Sequence, residues 1–425
     1  MDRAQKKALV SGNVIVVGVD VAKHSHWARI FNSNGLDAVK PFPFQNTRDG
    51  FSRLVAKILE AQKKEQATGV IIGMEPTGHY WKPLAWFLQE QGYPVVMVNP
   101  YHVKRSKELN DNSPSKTDRK DACVIADLVQ NGRFLTCLLP GGIYAELRSL
   151  HVTREQERRK LNSALNQLQA FLDEYFPELS QVFKDLMGMA AGWVLRHLPF
   201  PQDILALSLK ELAGCLKEAS NSRVGLKRAQ VLQKAASESI GVMVGLNGAR
   251  IKLTSILEEI DFLHTQLERV EAALAQALED TGLAPYLLSI PGIGIITAAG
   301  FLAEVGDPSQ YQHWRQLRKL AGLNLVEESS GKKQGARAIS KRGRPGLRSL
   351  LYQASFSLVA KNKEFRALYH HLLTRPENPL RKKQALVAIS TKILRVMFTL
   401  VKEKRYYAAQ KALGSYRAAQ LQQVA

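Results

Sequence analysis

The spacing of apolar residues along this chain changes twice. Residues 14–19 are apolar and uncharged, mostly β-branched, and the run stops at Asp20. Such a run fits a strand covered on both faces, hence one in the middle of a sheet, with Asp20 at its exit. Residues 26–31 and 36–44 read as a second and third strand joined by an Asn34-Gly35 hairpin turn, the third weakened at its end by Pro41 and Pro43. The period then becomes helical: Phe51, Leu54, Val55 and Ile58 share a face over 46–62, behind a cap at Asn46 or Thr47. Residues 70–74 make a fourth buried strand ending on Glu75. A helix over 81–91 and a fifth strand over 93–98 follow, closed by Asn99-Pro100.

Three antiparallel strands followed by alternating helices and strands is the order of a ribonuclease-H-like α/β fold, in which the first and fourth strands are neighbours. Asp20 and Glu75 then stand side by side. Ser113-Pro114-Ser115 breaks the chain before a helix starting near Lys116 or Thr117, whose first turns carry Asp118 and Asp121 on one face. Acids there also complement a helix dipole. Four acids delivered from two strand ends and a helix face repel one another unless cations or protons hold them. Hard oxygen donors select Mg²⁺, with Mn²⁺ as an alternative.

Beyond residue 145 the pattern is helical. A long helix over 147–175 keeps Leu161, Leu165, Leu168 and Leu172 at coiled-coil spacing, and Pro177 ends it. Shorter helices follow to about residue 244, with a Ser208/Glu211 capping box. Then Leu253, Ile256, Ile260, Leu263, Leu267, Val270, Leu274 and Ala277 alternate steps of three and four, a coiled-coil seam open to an antiparallel intrachain partner or to another chain. After Thr281-Gly282, two helices flank Pro291-Gly292-Ile293-Gly294, a hairpin whose glycines let backbone N–H groups approach a phosphate or simply make a turn. Helices over 314–321, 345–362, 365–373 and 382–402 complete the chain, with a polar, frayed tail from 404.

Charge sharpens this picture. There are 59 Lys and Arg against 38 Asp and Glu, a net +21, which points to a polyanionic partner, nucleic acid rather than membrane. No uncharged apolar stretch long enough to span a bilayer and no signal-peptide core is visible, so a soluble, cytoplasmic protein is expected. Cys123, Cys137 and Cys215 lack the spacing of a disulfide framework or a zinc site. The densest basic stretch holds Lys332, Lys333, Arg337, Lys341, Arg342, Arg344 and Arg348, with no acid between residues 331 and 348. A solvated, phosphate-facing loop is expected. A serine in Ser329-Ser330-Gly331 is either a turn residue or a nucleophile toward a phosphate held by these cations. His24, His26 and His79 near the acids are read as polar loop residues, and Trp27, Tyr80 and Trp81 as core.

Several ordered motifs resemble one family, the DEDD insertion-sequence transposases of the one-hundred-and-ten group. They are Gly18-Val19-Asp20-Val21-Ala22-Lys23, Met74-Glu75-Pro76-Thr77-Gly78, and Asn99-Pro100 with Lys116-Thr117-Asp118-Arg119-Lys120-Asp121-Ala122. Further on come Ile290-Pro291-Gly292-Ile293-Gly294, Ala321-Gly322-Leu323, and Ser329-Ser330-Gly331 with Ile339-Ser340-Lys341-Arg342-Gly343. The resemblance implies a RuvC-like domain over 1–145, a helical coiled-coil region with an extended insert over 146–281, a mostly helical transposase domain over 282–403 and a tail over 404–425. It implies a metal-binding tetrad of Asp20, Glu75, Asp118 and Asp121. It also implies a nucleophilic serine, taken as Ser330 rather than Ser329 because the family's serine directly precedes the glycine. Gly292, Gly294, Lys332, Lys333, Arg337, Lys341, Arg342, Arg344 and Arg348 are the expected nucleic-acid contacts. The implied activity is recombination through a phosphoserine intermediate in a homo-oligomer, a dimer or tetramer, guided by a bridge RNA that pairs with donor and target DNA. A metal-only nuclease such as a junction resolvase, and a non-catalytic nucleic-acid scaffold, are the competing readings.

Overall fold

The computed structural model describes residues 3–76, 78–107, 117–137, 139–327, 335 and 337–414. The chain divides into two compact units, Met1–Leu139 and Pro140–Ala425.

The first unit is a mixed α/β domain. After a short helix α1 (Arg3–Leu9), strands β1 (Val14–Asp20), β2 (Ser25–Phe31) and β3 (Asp37–Gln45) form an antiparallel meander. Then come α2 (Arg48–Glu65), β4 (Gly69–Met74), α3 (Trp81–Glu90), β5 (Val95–Met97), α4 (Pro100–Ser106), α5 (Asp118–Gln130) and β6 (Leu135–Thr136). The sheet order is β3-β2-β1-β4-β5-β6, with β1 parallel to β4 and β4 parallel to β5. The apolar run of β1 is therefore central, as its composition requires. Its alternate residues serve two cores. Ile15, Val17 and Val19 join Leu54, Ile58, Leu84 and Leu88 on the α2/α3 side, and Val16 joins Val124, Ile125 and Leu128 on the α5 side. Thr47 caps α2, its hydroxyl accepting from Gly50 N at 3.2 Å. The two-residue strand β6, unseen in the sequence pattern, extends the edge beside β5.

The second unit is almost entirely helical. The long helices α6 (Gly142–Tyr175) and α12 (Leu246–Asp280) pack against each other. Arg154 pairs with Glu271 and Lys252 with Glu174, so the two run antiparallel within one chain. This settles which partner takes the seam: Leu161, Leu168 and Leu172 share a core with Leu253, Ile256, Ile260 and Leu263. Between them lie α7 (Leu179–Val182), α8 (Met189–His197), α9 (Pro201–Leu205), α10 (Leu209–Ala219) and α11 (Leu226–Ser237). The Ser208/Glu211 capping box of α10 is present in both directions, at 2.8 and 3.3 Å.

The chain continues through α13 (Ala284–Leu288), α14 (Ile295–Val305), α15 (Trp314–Leu320), the two-stranded ribbon β7 (Leu325–Val326) and β8 (Ala338–Ile339), α16 (Pro345–Lys361), α17 (Lys363–Thr374) and α18 (Lys382–Glu403). Helix α14 packs on α6, α12 and α16. Helix α18 is the one described helix long and apolar enough to cross a membrane, and it is mostly buried against α15, α16 and α17. The start of the tail, expected to fray, is tied down. Tyr407 N donates to Ser289 Oγ at 2.9 Å, and α19 (Ala409–Ala412) buries Ala412.

Candidate active site

Two strand ends and one helix start build the acidic site. The β1/β4 register pairs Val19 with Met74, so the next residues, Asp20 and Glu75, leave the sheet together at its carboxyl edge. Helix α5 lies unusually close to that sheet, and glycine makes this possible. Gly18 and Gly73 are register partners on the face that α5 covers. A Cβ on Gly18 would collide with the Ala122 carbonyl, and one on Gly73 with the Val129 side chain. Thr117 caps α5 by accepting from Lys120 N at 3.2 Å, which sets Asp118 and Asp121 in the first turn. Asp118 is exposed, whereas Asp121 is only 4% exposed.

Asp20 senses the other three carboxylates. The Asp20 carboxyl is pushed up from 3.8 to about 7, first by burial, then by Asp121, Asp118 and Glu75, with Lys107 opposing. Lys107, just past α4, is the group that sequence reasoning missed. Its Nζ is 2.6 Å from the Asp121 carboxylate and donates to Oδ2. Oδ1 of Asp121 is buried and also pairs with Lys107 Nζ at 2.6 Å, outside hydrogen-bond geometry. A buried carboxylate crowded by like-charged carboxylates suits a hard divalent cation. Among the described residues, however, no three His, Cys, Asp or Glu side chains converge tightly enough to enclose an ion.

Of the neighbouring histidines, His26 departs from the polar-loop expectation. It is fully buried in β2 against Phe44 and Phe51, its Nδ1 accepts from Ala22 N at 3.2 Å, and burial lowers its pKa. It therefore supports the turn after Asp20. His24 and His79 are exposed. Tyr80 and Trp81 pack on the sheet core as expected.

The basic segment divides in an unexpected way. Ser330, Lys332 and Lys333 lie outside the described residues. Lys341 and Arg342 are exposed, and Arg337 pairs with Glu327 at 3.2 Å beside the β7/β8 ribbon. Arg344 and Arg348 are not part of a solvated loop. Arg344 Nη1 donates to the Glu304 carbonyl, and Arg348 Nη1 donates to the carbonyls of Ala321 and Lys341 at 3.0 and 3.3 Å. Each guanidinium holds backbone carbonyls through Nη1. Gly292 has φ of 99° and backs onto the backbone of Ser357 and Leu358, a packing reason for that glycine. Gly294 is exposed at the start of α14 with open space around it.

A sheet whose central strands deliver acids beside a capped helix, followed by an antiparallel helical unit, defines a chain built to handle a polyanion at an acidic centre. Two family models match it in order: a DEDD transposase model over residues 17–177 and the Transposase IS116/IS110/IS902 family over residues 284–370. The chain belongs to the IS110 family of DEDD transposases, and it is a transposase enzyme. It is 24% identical to the 43.6 kDa protein of insertion element IS110 from Streptomyces coelicolor, over 94% of this chain and 97% of that one. It is 24% identical to the transposase for insertion sequence element IS1111A of Coxiella burnetii, over 93% and 92%. It is also 22% identical to the pilin gene-inverting protein of Moraxella lacunata, over 92% and 96%. Neither family model covers residues 178–283, which hold α7 to α11 and α12.

Proposed function

We propose that the first unit is a RuvC-like catalytic domain, in which Asp20, Glu75, Asp118 and Asp121 hold Mg²⁺ or Mn²⁺, and that Ser330 is the nucleophile of a DNA recombinase. The observation that carries this reading is the convergence of Asp20 and Glu75, leaving adjacent parallel strands together, with Asp118 and the buried Asp121 at the capped start of α5 packed on those strands, where Asp20 feels all three other acids. Carboxylates so arranged cost stability by themselves, and a divalent cation relieves that cost.

Asp121, the most buried of the four, and Asp20 would hold the ion, and Glu75 and Asp118 would complete its shell from the strand end and the helix start. When bound, the metal supplies Lewis-acid polarisation of the scissile phosphate. The chain's own residues do the rest. Lys341 and Arg342 hold the DNA backbone. Ser330 Oγ bonds to phosphorus as the P–O bond to the departing strand breaks; the serine proton leaves and the departing oxygen takes one up. Attack by a hydroxyl of a second strand forms the new phosphodiester and returns the serine hydroxyl, with no external energy source. Sequence choice is assigned to a bridge RNA pairing with donor and target DNA, which leaves the protein mainly backbone contacts, in keeping with its net +21. In a dimer or tetramer the acids and the serine of one working site come from different subunits.

The test is a denaturing gel of the full chain with plasmid DNA and Mg²⁺. Wild type should give a protein–DNA adduct that Ser330→Ala and Asp20→Asn both lose. Undiminished cleavage by Ser330→Ala, with no adduct in wild type, would assign the attack to water and make the protein a metal-only nuclease.

A further inference from the structure

The second unit contains a buried charged cluster that the proposed chemistry does not use. Helix α14 is otherwise apolar, and its single charged residue, Glu304, is only 4% exposed. Glu304 Oε1 is 2.6 Å from Arg148 Nη1 of α6, and His151 Nε2 of the same helix lies 4.0 Å away. His151 is equally buried, and burial lowers its pKa. Oε2 of Glu304 and Nδ1 of His151 are buried without a hydrogen-bond partner. On the far side, Arg344 Nη1 donates to the Glu304 carbonyl, and the Glu304 carboxylate lies directly against Gly346 in the first turn of α16.

A buried carboxylate–guanidinium pair roughly breaks even in stability against an apolar packing, so stability alone does not account for it. What the cluster does provide is a defined position. It ties α6 and α14 to the junction where the basic segment turns into α16. That junction is held again from the other side, where Arg344 N donates to Leu320 O at 2.6 Å and Arg348 grips Ala321 and Lys341. Lys341, in a left-handed conformation at φ 54°, and Arg342 project from the limb so fixed.

We propose that Glu304 is a positioning residue for the transposase reaction: its carboxylate, paired with Arg148, packs on Gly346 while its carbonyl takes Arg344, and so it fixes the limb 340–348 that presents Lys341 and Arg342 to the DNA backbone. The proposal rests on the recombinase reading for its kinetic consequence but not for its structural one. Two variants test it in the full chain, with a plasmid carrying the element's junction and Mg²⁺. Glu304→Gln removes the charge. Gly346→Ala keeps every charge but puts a methyl group where the Glu304 carboxylate lies, so it disturbs the clamp even if the first variant folds poorly.

Both variants should slow cleavage at saturating plasmid by roughly tenfold or more, the scale of a small misplacement of reacting groups, while half-saturation stays within about twofold. Both should also speed trypsin cutting after Lys341 and Arg342, a readout independent of any chemistry. A double variant, Arg148→Gln with Glu304→Gln, removes the unpaired buried charge; it should recover melting temperature without recovering rate. Wild-type cleavage rates and unchanged tryptic cutting in both single variants would overturn the proposal. Recovery of rate together with melting temperature in the double variant would also overturn it, because the role would then be stability alone. If wild type itself gives no adduct, the recombinase reading fails, and the trypsin comparison still decides the clamp.

Discussion

The acidic nest of the first unit and the clamp of the second use the same kinds of side chain to opposite ends. Around Asp20, four carboxylates are opposed by Lys107 alone among the described groups acting on Asp20, and Asp20 responds by holding its proton up to about pH 7. Around Glu304, one carboxylate is paired with Arg148, while Arg344 donates to the Glu304 carbonyl. The first cluster carries excess negative charge and is suited to take up a cation; in the second the carboxylate is paired and the group is suited to hold backbone. What distinguishes a site from a fastener here is charge balance, since burial is similar at Asp121 and Glu304.

The contrast can be broken in order of effect. Asp121→Asn should reduce Mg²⁺-dependent strand cleavage by on the order of 10³-fold in a gel assay while circular dichroism stays unchanged. Gly18→Ala should act on the same site through packing. It forces α5 off the sheet at a cost of roughly 1–3 kcal/mol or more, read as a lower denaturant midpoint together with lost cleavage.

A pH series sharpens the electrostatic half. Because the folded-state pKa of Asp20 lies above its unfolded value, the native state binds the extra proton between about pH 4 and 7. Without divalent cations, the Asp20 contribution to stability is therefore fully present below pH 4 and lost as pH rises through 7. Differential scanning calorimetry should show a melting temperature that falls over this window in wild type and falls less in Asp20→Asn. Added Mg²⁺ should reduce the slope in wild type.

The smallest effect separates surface cations from structural ones. Lys341→Ala should weaken DNA binding evenly across sequences and lower the salt slope by about 1, with stability unchanged. Arg348→Ala should lower the melting temperature through its lost carbonyl bonds and leave the salt slope as it was.

The parts of this arrangement that depend on local pattern were legible in the sequence. The apolar run before Asp20 located the central strand, the Ser113-Pro114-Ser115 break located the helix start that carries Asp118 and Asp121, and the heptads of α12 predicted its seam. The remainder depends on contacts between distant residues. Lys107 reaches Asp121 across residues 108–116, and Glu304 meets Arg148 from 156 positions away. Neither leaves a period. Gly18 and Gly73 did leave a signal, since glycine inside a buried strand marks a close backbone approach, but only the register shows that they lie side by side. Arg344 and Arg348 looked solvated because a run of cations suggests a phosphate surface, and their carbonyl partners lie in other segments. Strands β6, β7 and β8 are two residues each, too short to show alternation.

Trapping the covalent species tests the central claim most directly. After reaction of the full chain with plasmid DNA and Mg²⁺, mass spectrometry of the digested protein should find a nucleotide linked through phosphate to Ser330, and none in the Asp121→Asn variant. A wild-type digest that carries no such linkage while DNA is still cut, or a linkage that persists in Asp121→Asn, would contradict it.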